Sequence, residues 1–409
     1  MKIAIAHNLY GAYAKGGAEK VVKEMIENFQ GNGDEVFLIT TEPKKEWILD
    51  KEIGAQIENK VENENGFKIE IKDQVDLRPE IEKENPNLKI YRVPSSYYNL
   101  GEKNKFYRPF WHLNNFCNPK KAKLYQEILE KEKPDLIITH NLIGLGFFLV
   151  RISNSLKINH EHFLHDIQLL HPSGLMIKGE EKKVNSLFAK LYQAIVKAYF
   201  LKTKKVISPS AWLLEEHKKR GFFKNIETEI RPFRKIRADI QQDHDKVKSG
   251  NENQTQNQNQ AQSKNLDFQR KKEFLFLGQV ETHKGILFLI ETFKKIKDKN
   301  TFLKIIGDGR DFEKAKSLAK NDTRIIFLGR MGAENVKEEM RKIAILKNSA
   351  LIVPSLCYEN SPTVIYEANE IPLKVIASNL GGIPEIIKKD DILFNAGDEK
   401  DLLEKLRGL

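Results

Sequence analysis

The sequence predicts an α/β protein built from two doubly wound parallel sheets. Three observations carry that expectation. Short apolar, β-branched runs alternate with amphipathic helical stretches along most of the chain. The length, 409 residues, is enough for two domains with separate cores. A low-complexity Gln/Asn-rich tract at 250–262 divides the alternating pattern into two halves.

In chain order, residues 2–6 (Lys-Ile-Ala-Ile-Ala) read as a first strand, too short for a signal peptide and leading straight into a loop. A helix over 18–30 turns Val21, Val22, Met25, Ile26 and Phe29 inward, and 35–40 is the next strand. Residues 43–89 are polar and charged with few strand signals, so a loop-rich insertion is expected there. Further strands fall at 88–93, 135–139, 158–165 and 205–208, with a helix over 121–132. The stretch 182–205 repeats Leu187, Leu191, Ala194, Ile195 and Ala198 at helical spacing, with lysines at and beyond its end. Its preferred reading is a core-facing helix whose basic last turn complements the dipole; docking on an anionic membrane is the lesser one. Segment 236–271 breaks the pattern, and its tract at 250–262 carries almost no apolar surface to offset its ordering entropy and reads as a disordered insertion. The domains are therefore expected at 1–230 and 273–409, with 231–272 as linker.

The net charge of +11 admits nucleic acid, an anionic surface or anionic small substrates. Nucleic acid is disfavoured: there is no zinc-finger spacing, aromatic RNA-binding motif or dense arginine cluster. Cys117 and Cys357 lie far apart and suggest a reducing compartment rather than a disulfide framework. No apolar run approaches the ~20 residues that span a bilayer. A cytoplasmic protein is expected, with peripheral contact at the inner membrane face as the alternative.

The most informative stretch is Glu359-Asn-Ser-Pro-Thr-Val-Ile-Tyr-Glu367, two carboxylates eight positions apart across a loop–helix junction. Ser361 suits an N-cap and Pro362 the first helical position. The helix tip, at Ser361, Pro362, Thr363 and Val364, then offers backbone N–H groups to phosphate, while Glu359 and Glu367 accept from hydroxyl-rich groups on either side. Thr363 and Glu367 share one helix face. Downstream, a buried strand at 374–379 leads to Leu380-Gly-Gly-Ile-Pro-Glu385, where Gly381, Gly382 and Ile383 form a second expected helix start. Upstream, a strand at 273–278 runs into Gln279 and then Lys284-Gly285, a diphosphate clamp by position. The strand from Leu303 ends in Gly307-Asp-Gly309.

Two places in the N-terminal half could carry chemistry. Lys15-Gly-Gly-Ala-Glu19 brings the backbone of Gly16 and Gly17 to a strand–helix junction. Glu42 closes the second strand where a ribose-binding acid of a dehydrogenase would sit, but no G-x-G-x-x-G precedes it. The second is His160-Glu-His-Phe-Leu-His165-Asp166, with His140 ending the preceding strand. His160 and His162 share a strand face, which permits metal ligation, yet nothing completes a ligand set. Asp243-His-Asp245 mimics a metal motif without strand–turn context. No metal or cofactor is expected.

Taken together, these motifs resemble family 4 of the retaining glycosyltransferases, the group 1 enzymes with two Rossmann-like domains facing a cleft (GT-B). The match is the E-x7-E pair, the clamp around Lys284-Gly285, the Gly-x-Gly turn and the Gly-Gly-x-x-Glu turn, in family order, with Gly-Gly-Ala near the start. Gln279 stands where the family has arginine, and Pro372 and Lys374 replace a small Gly and Pro. The resemblance implies a nucleotide diphosphate sugar as donor and a glycan, lipid-linked or small-molecule hydroxyl as acceptor. Glu367 is implied to hold ribose hydroxyls, Glu359 sugar hydroxyls, and Lys284 with Gln279 and the helix starts the departing diphosphate, without a metal ion. His165 is implied to sit beside the sugar, oriented by Asp166. A non-catalytic nucleotide-sugar-binding or surface-docking protein is the alternative. Family chains continue past the position of Leu409 into a helix that crosses back onto the N-terminal domain. Here a single helix at 399–406 ends the sequence, so a short C-terminal domain is expected.

Overall fold

The computed structural model describes residues 1–14, 16–43, 79–82, 85–99, 108–233, 271–346 and 348–409. Lys15, the Asp243-His-Asp245 motif, the 250–262 tract and most of the expected insertion at 43–89 lie outside the described residues. The chain divides into two units, Met1–Gly174 with Leu187–Ser208 and Glu216–Ile230, and Leu175–Ser186 with Pro209–Glu215 and Arg231–Leu409. A single boundary at 230 is therefore too simple. Two short stretches ahead of it are held on the second unit by hydrogen bonds: Met176 O accepts from Tyr358 N–H, and Glu385 accepts from the N–H groups of Ala211 and Trp212.

The first unit holds an eight-stranded sheet. Its strands are β1 (Lys2–Ala6), β2 (Glu35–Pro43), β3 (Glu80–Ile81), β4 (Lys89–Ser95), β5 (Leu136–Thr139), β6 (Asn159–Phe163), β7 (Lys205–Ser208) and β8 (Glu227–Ile230). They lie in the order β3-β4-β2-β1-β5-β6-β7-β8, parallel except for the β3–β4 pair. The chain reverses its direction of winding between β1 and β5, so the carboxyl ends of those strands are where an open α/β sheet receives ligands. Helix α1 (Gly17–Gly31) buries Val21, Val22, Met25 and Ile26 as its spacing predicts. The helices α2 (Arg108–Leu113) and α3 (Pro119–Glu132) follow, and Asn118 caps α3 by accepting from Lys121 N–H. Helix α4 (Phe148–Ser155) precedes β6. Edge strand β8 escapes the sequence reading because Glu-Thr-Glu-Ile has no apolar run. Lys205 reaches both Glu227 (2.9 Å) and Glu229 (2.8 Å) across it.

Glu132, at the end of α3, receives Lys2 Nζ at 2.7 Å and the Tyr91 hydroxyl. Burial pushes its carboxyl up, but these two partners more than reverse that and hold it at about 2. A carboxylate held low stabilises the fold above its ordinary titration range and loses that contribution as pH falls through the folded-state value. Urea stability of the wild type should therefore decline between pH ~4.5 and ~2 more steeply than that of Glu132→Gln. Equal slopes would show that the cluster adds nothing.

Helix α5 (Leu187–Phe200) corrects the sequence reading. Leu187, Leu191 and Ile195, expected in the core, are 86, 63 and 37% exposed. The buried face is instead Ala189, Tyr192, Gln193, Val196 and Phe200. Hydrogen bonding decides the matter. Tyr192 Oη donates to Gln168 O at 2.7 Å and Gln193 Nε2 to Leu170 O at 3.0 Å, so these polar tips enter the interior satisfied. Phe200 packs on His162, with ring centroids 4.8 Å apart. Helix α6 (Ala211–Lys219) follows β7.

The second unit carries six parallel strands: β9 (Lys272–Leu277), β10 (Thr301–Ile306), β11 (Ile325–Gly329), β12 (Ala350–Val353), β13 (Lys374–Ser378) and β14 (Ile392–Phe394). Their order is β11-β10-β9-β12-β13-β14, which places the switch point between β9 and β12. The helices are α7 (Ile286–Phe293), α8 (Phe312–Ala319), α9 (Ala333–Ala344), α10 (Thr363–Glu370) and α11 (Glu399–Gly408). Both sheet faces are covered, as continuous apolar strands require. Phe274 and Phe276 join Leu289 and Phe293 of α7 and Leu402 and Leu406 of α11. Leu275 between them points the other way, to Val336, Met340 and Ile343 of α9.

Candidate active site

In the first unit, chemistry-bearing side chains gather where β1, β5 and β6 end. His7 follows β1, His140 follows β5 and His165 lies two residues beyond β6. His140 Nδ1 and His165 Nε2 are 2.7 Å apart, and the His7 ring centroid lies 5.8 and 5.9 Å from theirs. Burial holds the His140 and His165 rings well below the usual histidine range, so both are neutral. A single proton then lies between them, and the two rings adopt complementary tautomers. Asp166, the expected orienting group, accepts instead from Gln168 N–H at 2.7 Å, and burial raises it to about 6. His140 is the group at hydrogen-bond distance from His165 Nε2.

Gly16 precedes the first turn of α1, which Gly17 opens, but the Gly16 N–H already donates to Glu19 Oε2 at 2.9 Å. Glu19 Oε1 faces His7 Nε2 at 3.9 Å. Burial works to raise the Glu19 carboxyl, and His7 with the backbone donors brings it below its ordinary range. The glycine loop thus positions an acid against a buried histidine in addition to any ligand role.

His160 and His162 share Thr139 Oγ1, each at 2.8 Å, and His160 also meets Thr203 Oγ1 at 2.9 Å. These are hydrogen-bonded core rings. Among the described residues no group of three or more His, Cys, Asp or Glu is placed to hold a metal ion.

In the second unit, the loops leaving β9 and β12 are tied together at the switch point. His283 O accepts from the N–H groups of Leu356 (2.9 Å) and Cys357 (3.1 Å). That contact brings Lys284 Nζ to 2.6 Å from Glu359 Oε1, on which Ser355 Oγ also donates at 2.9 Å. The two side chains are 28 and 15% exposed, so the pair is shielded without being sealed. Burial works against charge on each, and their mutual attraction wins: the Glu359 carboxyl lies below its ordinary range and the Lys284 ammonium above. Glu281 lies 3.2 Å from both His283 Nδ1 and Arg310 on the outer side of this loop. Cys357 beside the pair is a free thiol that burial pushes up to about 12, and Cys117 is free and exposed.

The glycines act chiefly by letting backbones touch. Gly307 has φ +138°, and a Cβ there would sit 1.8 Å from Gly278 O, while one on Gly309 would sit 2.6 Å from Val280 O. The Gly-x-Gly turn therefore packs directly on the loop carrying half-buried Gln279. Gly381, at φ +65°, comes within 2.3 Å of Glu359 O by the same measure, and the Gly382 N–H donates to that carbonyl at 2.8 Å. Gly381 and Gly382 set the height of the Glu359 loop.

Helix α10 starts one residue later than Ser361 as N-cap predicts. Pro362 occupies the N-cap position, and no side chain caps the first turn. The Ser361 hydroxyl is buried against Tyr366 Oη at 2.8 Å, which removes it from capping. The first-turn N–H groups of Thr363 and Val364 are left without a side-chain cap, which is the condition for an anion seat. Half-buried Glu367 stands one turn on from Thr363. The second expected helix start is a single 3₁₀ turn at Ile383–Glu385, and Glu385 faces away to accept from Ala211 and Trp212 N–H at 2.7 Å each. Sequence reasoning missed Ser355 and His7. His7 left a signal, since Ile-Ala-Ile-Ala-His and Ile-Ile-Thr-His140 both end a strand in histidine.

Two parallel-sheet α/β units with these loops at the carboxyl ends of their strands define the GT-B class. Solved structures show the same fold: sucrose-phosphate synthase from Thermosynechococcus elongatus is 16% identical, with a TM-score of 0.61, covering 100% of this chain and 89% of that one. Anabaena HepE in complex with UDP-glucose is 14% identical, with a TM-score of 0.59 and the same coverage. The model of Glycosyltransferase Family 4 matches residues 15–228 and that of Glycosyl transferases group 1 matches 257–409. The chain belongs to glycosyltransferase family 4 and is a glycosyltransferase. A 42.6 kDa protein in the cps region of Klebsiella pneumoniae is 25% identical over 98% of this chain and 91% of that protein. The sulfoquinovosyl transferase SQD2 of Arabidopsis thaliana is 31% identical over 31% of this chain and 24% of that protein. Among the described residues, no helix is long and apolar enough to cross a membrane.

Proposed function

We propose that this enzyme moves a sugar from a nucleoside diphosphate sugar to a hydroxyl of a glycan or lipid-linked acceptor, with retention of configuration and without a metal ion. The Lys284–Glu359 pair at 2.6 Å, held at the β9–β12 switch point, carries the reading. An ammonium offers three donors, of which Glu359 takes one. The others suit the oxygens of a diphosphate, joined by Gln279 and the uncapped first turn of α10. Glu359 keeps Oε2 for a sugar hydroxyl, and Glu367 suits the ribose hydroxyls. The likeness to HepE, solved with UDP and with UDP-glucose, supports such a donor. The likeness to a protein of a cps region and to WaaG, a glycosyltransferase involved in lipopolysaccharide biosynthesis, supports a glycan or lipid-linked acceptor. The acceptor oxygen attacks the anomeric carbon from the face the diphosphate leaves, so the C–O bond to phosphate breaks as the new C–O bond forms and the acceptor's hydroxyl proton passes to the departing phosphate oxygen.

Purified protein incubated with UDP-, GDP- and ADP-sugars in excess EDTA should slowly release the matching nucleoside diphosphate and a sugar of unchanged anomeric form, read by NMR before mutarotation. Inverted sugar would exclude retention. Activity abolished by EDTA and restored by a divalent cation would exclude the metal-free mechanism. Glu359→Ala and Glu367→Ala should each remain folded and lose roughly 1–3 kcal/mol of transition-state stabilisation, about 5- to 150-fold in turnover. Wild-type turnover in either would remove that residue from the donor site.

A further inference from the structure

Helix α5 carries an apolar face that its own unit leaves uncovered. Leu187, Phe188, Leu191 and Ile195 are 86, 53, 63 and 37% exposed, and Leu201, just past the helix, is 76% exposed. At 3.6 residues per turn, Leu187, Leu191, Ala194, Ile195 and Ala198 fall on one side, opposite the hydrogen-bonded face that anchors the helix. A contiguous apolar stripe of this kind marks an interaction surface rather than ordinary solvent-facing helix.

The surrounding charge identifies the partner. Exposed Lys190, Lys202 and Lys204 border the stripe. Lys197, at its edge, donates to Arg220 O at 3.2 Å and so adjoins a second basic turn with exposed Lys218 and Lys224. There is no aspartate or glutamate from Leu187 to Leu214. Lysine is depleted at the centres of protein–protein interfaces, and a second copy of this face would set lysine against lysine. An anionic lipid surface fits both features. Leucine and phenylalanine enter the headgroup–acyl boundary, while the lysine stems lie along it and present their ammonium groups to lipid phosphates.

We propose that α5 docks the first unit on the anionic face of a bilayer. This goes beyond sugar transfer and does not depend on the donor assignment. The full chain, sedimented with phosphatidylcholine vesicles and with mixed phosphatidylcholine–phosphatidylglycerol vesicles, is expected to partition onto the mixed vesicles alone and to be released by salt. Leu191→Glu with Ile195→Glu should weaken that partitioning roughly tenfold or more, with an unchanged melting temperature. Lys190→Glu with Lys202→Glu, both at exposed positions that leave the apolar stripe intact, should weaken it by roughly tenfold or more as well. A wild-type chain that ignores the anionic vesicles, or partitions no better than both double variants, overturns the proposal. A dimer in analytical ultracentrifugation that Leu191→Glu with Ile195→Glu dissociates would also overturn it, by assigning the face to a second copy.

Discussion

Lys284→Ala is expected to lower turnover by roughly 10²- to 10³-fold, about 3–4 kcal/mol of barrier, while weakening donor binding far less. In the proposed reaction the departing diphosphate carries more charge in the transition state than in the bound donor, so a group aimed at it acts mainly on the rate. The structure adds a second consequence. Without Lys284, the Glu359 carboxylate loses its ammonium partner and keeps the neutral Ser355 hydroxyl, and its titration should move back up toward the ordinary carboxylate range. Single-turnover donor consumption, with the fold checked by circular dichroism, separates the two effects. A variant with wild-type turnover would reduce Lys284 to the structural partner of Glu359.

Phe293→Ala should destabilise the second unit by roughly 3–5 kcal/mol, as deletion of a wholly buried aromatic ring does. Phe293 is 0% exposed, meets Phe274 edge-on at 6.5 Å, and lies 5.1 Å beneath the Arg324 guanidinium. The ring therefore supplies buried area, an aromatic pair and a cation contact together. The urea midpoint of the transition monitoring this unit is the measurement. A shift worth less than about 1 kcal/mol would mean that the surrounding chain collapses into the space.

Much of the Glu359 loop was legible because its signals are local. Glu359 and Glu367 were visible as acids bracketing a helix start, and Gly381 and Gly382 as positions of close approach, although the group they approach is the Glu359 backbone rather than a ligand. Ser361 shows where local reading fails. A serine before proline at a helix start reads as a cap, but its hydroxyl went to Tyr366 once the segment was buried. Gly16 gives the same lesson, since the N–H expected to face a ligand is taken by Glu19.

The sequence by itself determined many of the strand runs, the largely parallel character of the sheets and the glycine-rich loops at their ends. Strand period, apolar composition and turn residues are properties of a few neighbouring positions. Tertiary structure alone decided which of those loops meet. Strand order sets β1 beside β5 and β5 beside β6, which brings His140 against His165, and it sets β9 beside β12, which pairs Lys284 with Glu359. It also decided which face of α5 is buried. Hydropathy ranks leucine above tyrosine and glutamine, but a polar tip that finds a carbonyl inside is buried at little cost. Leucines without a complementary surface stay outside.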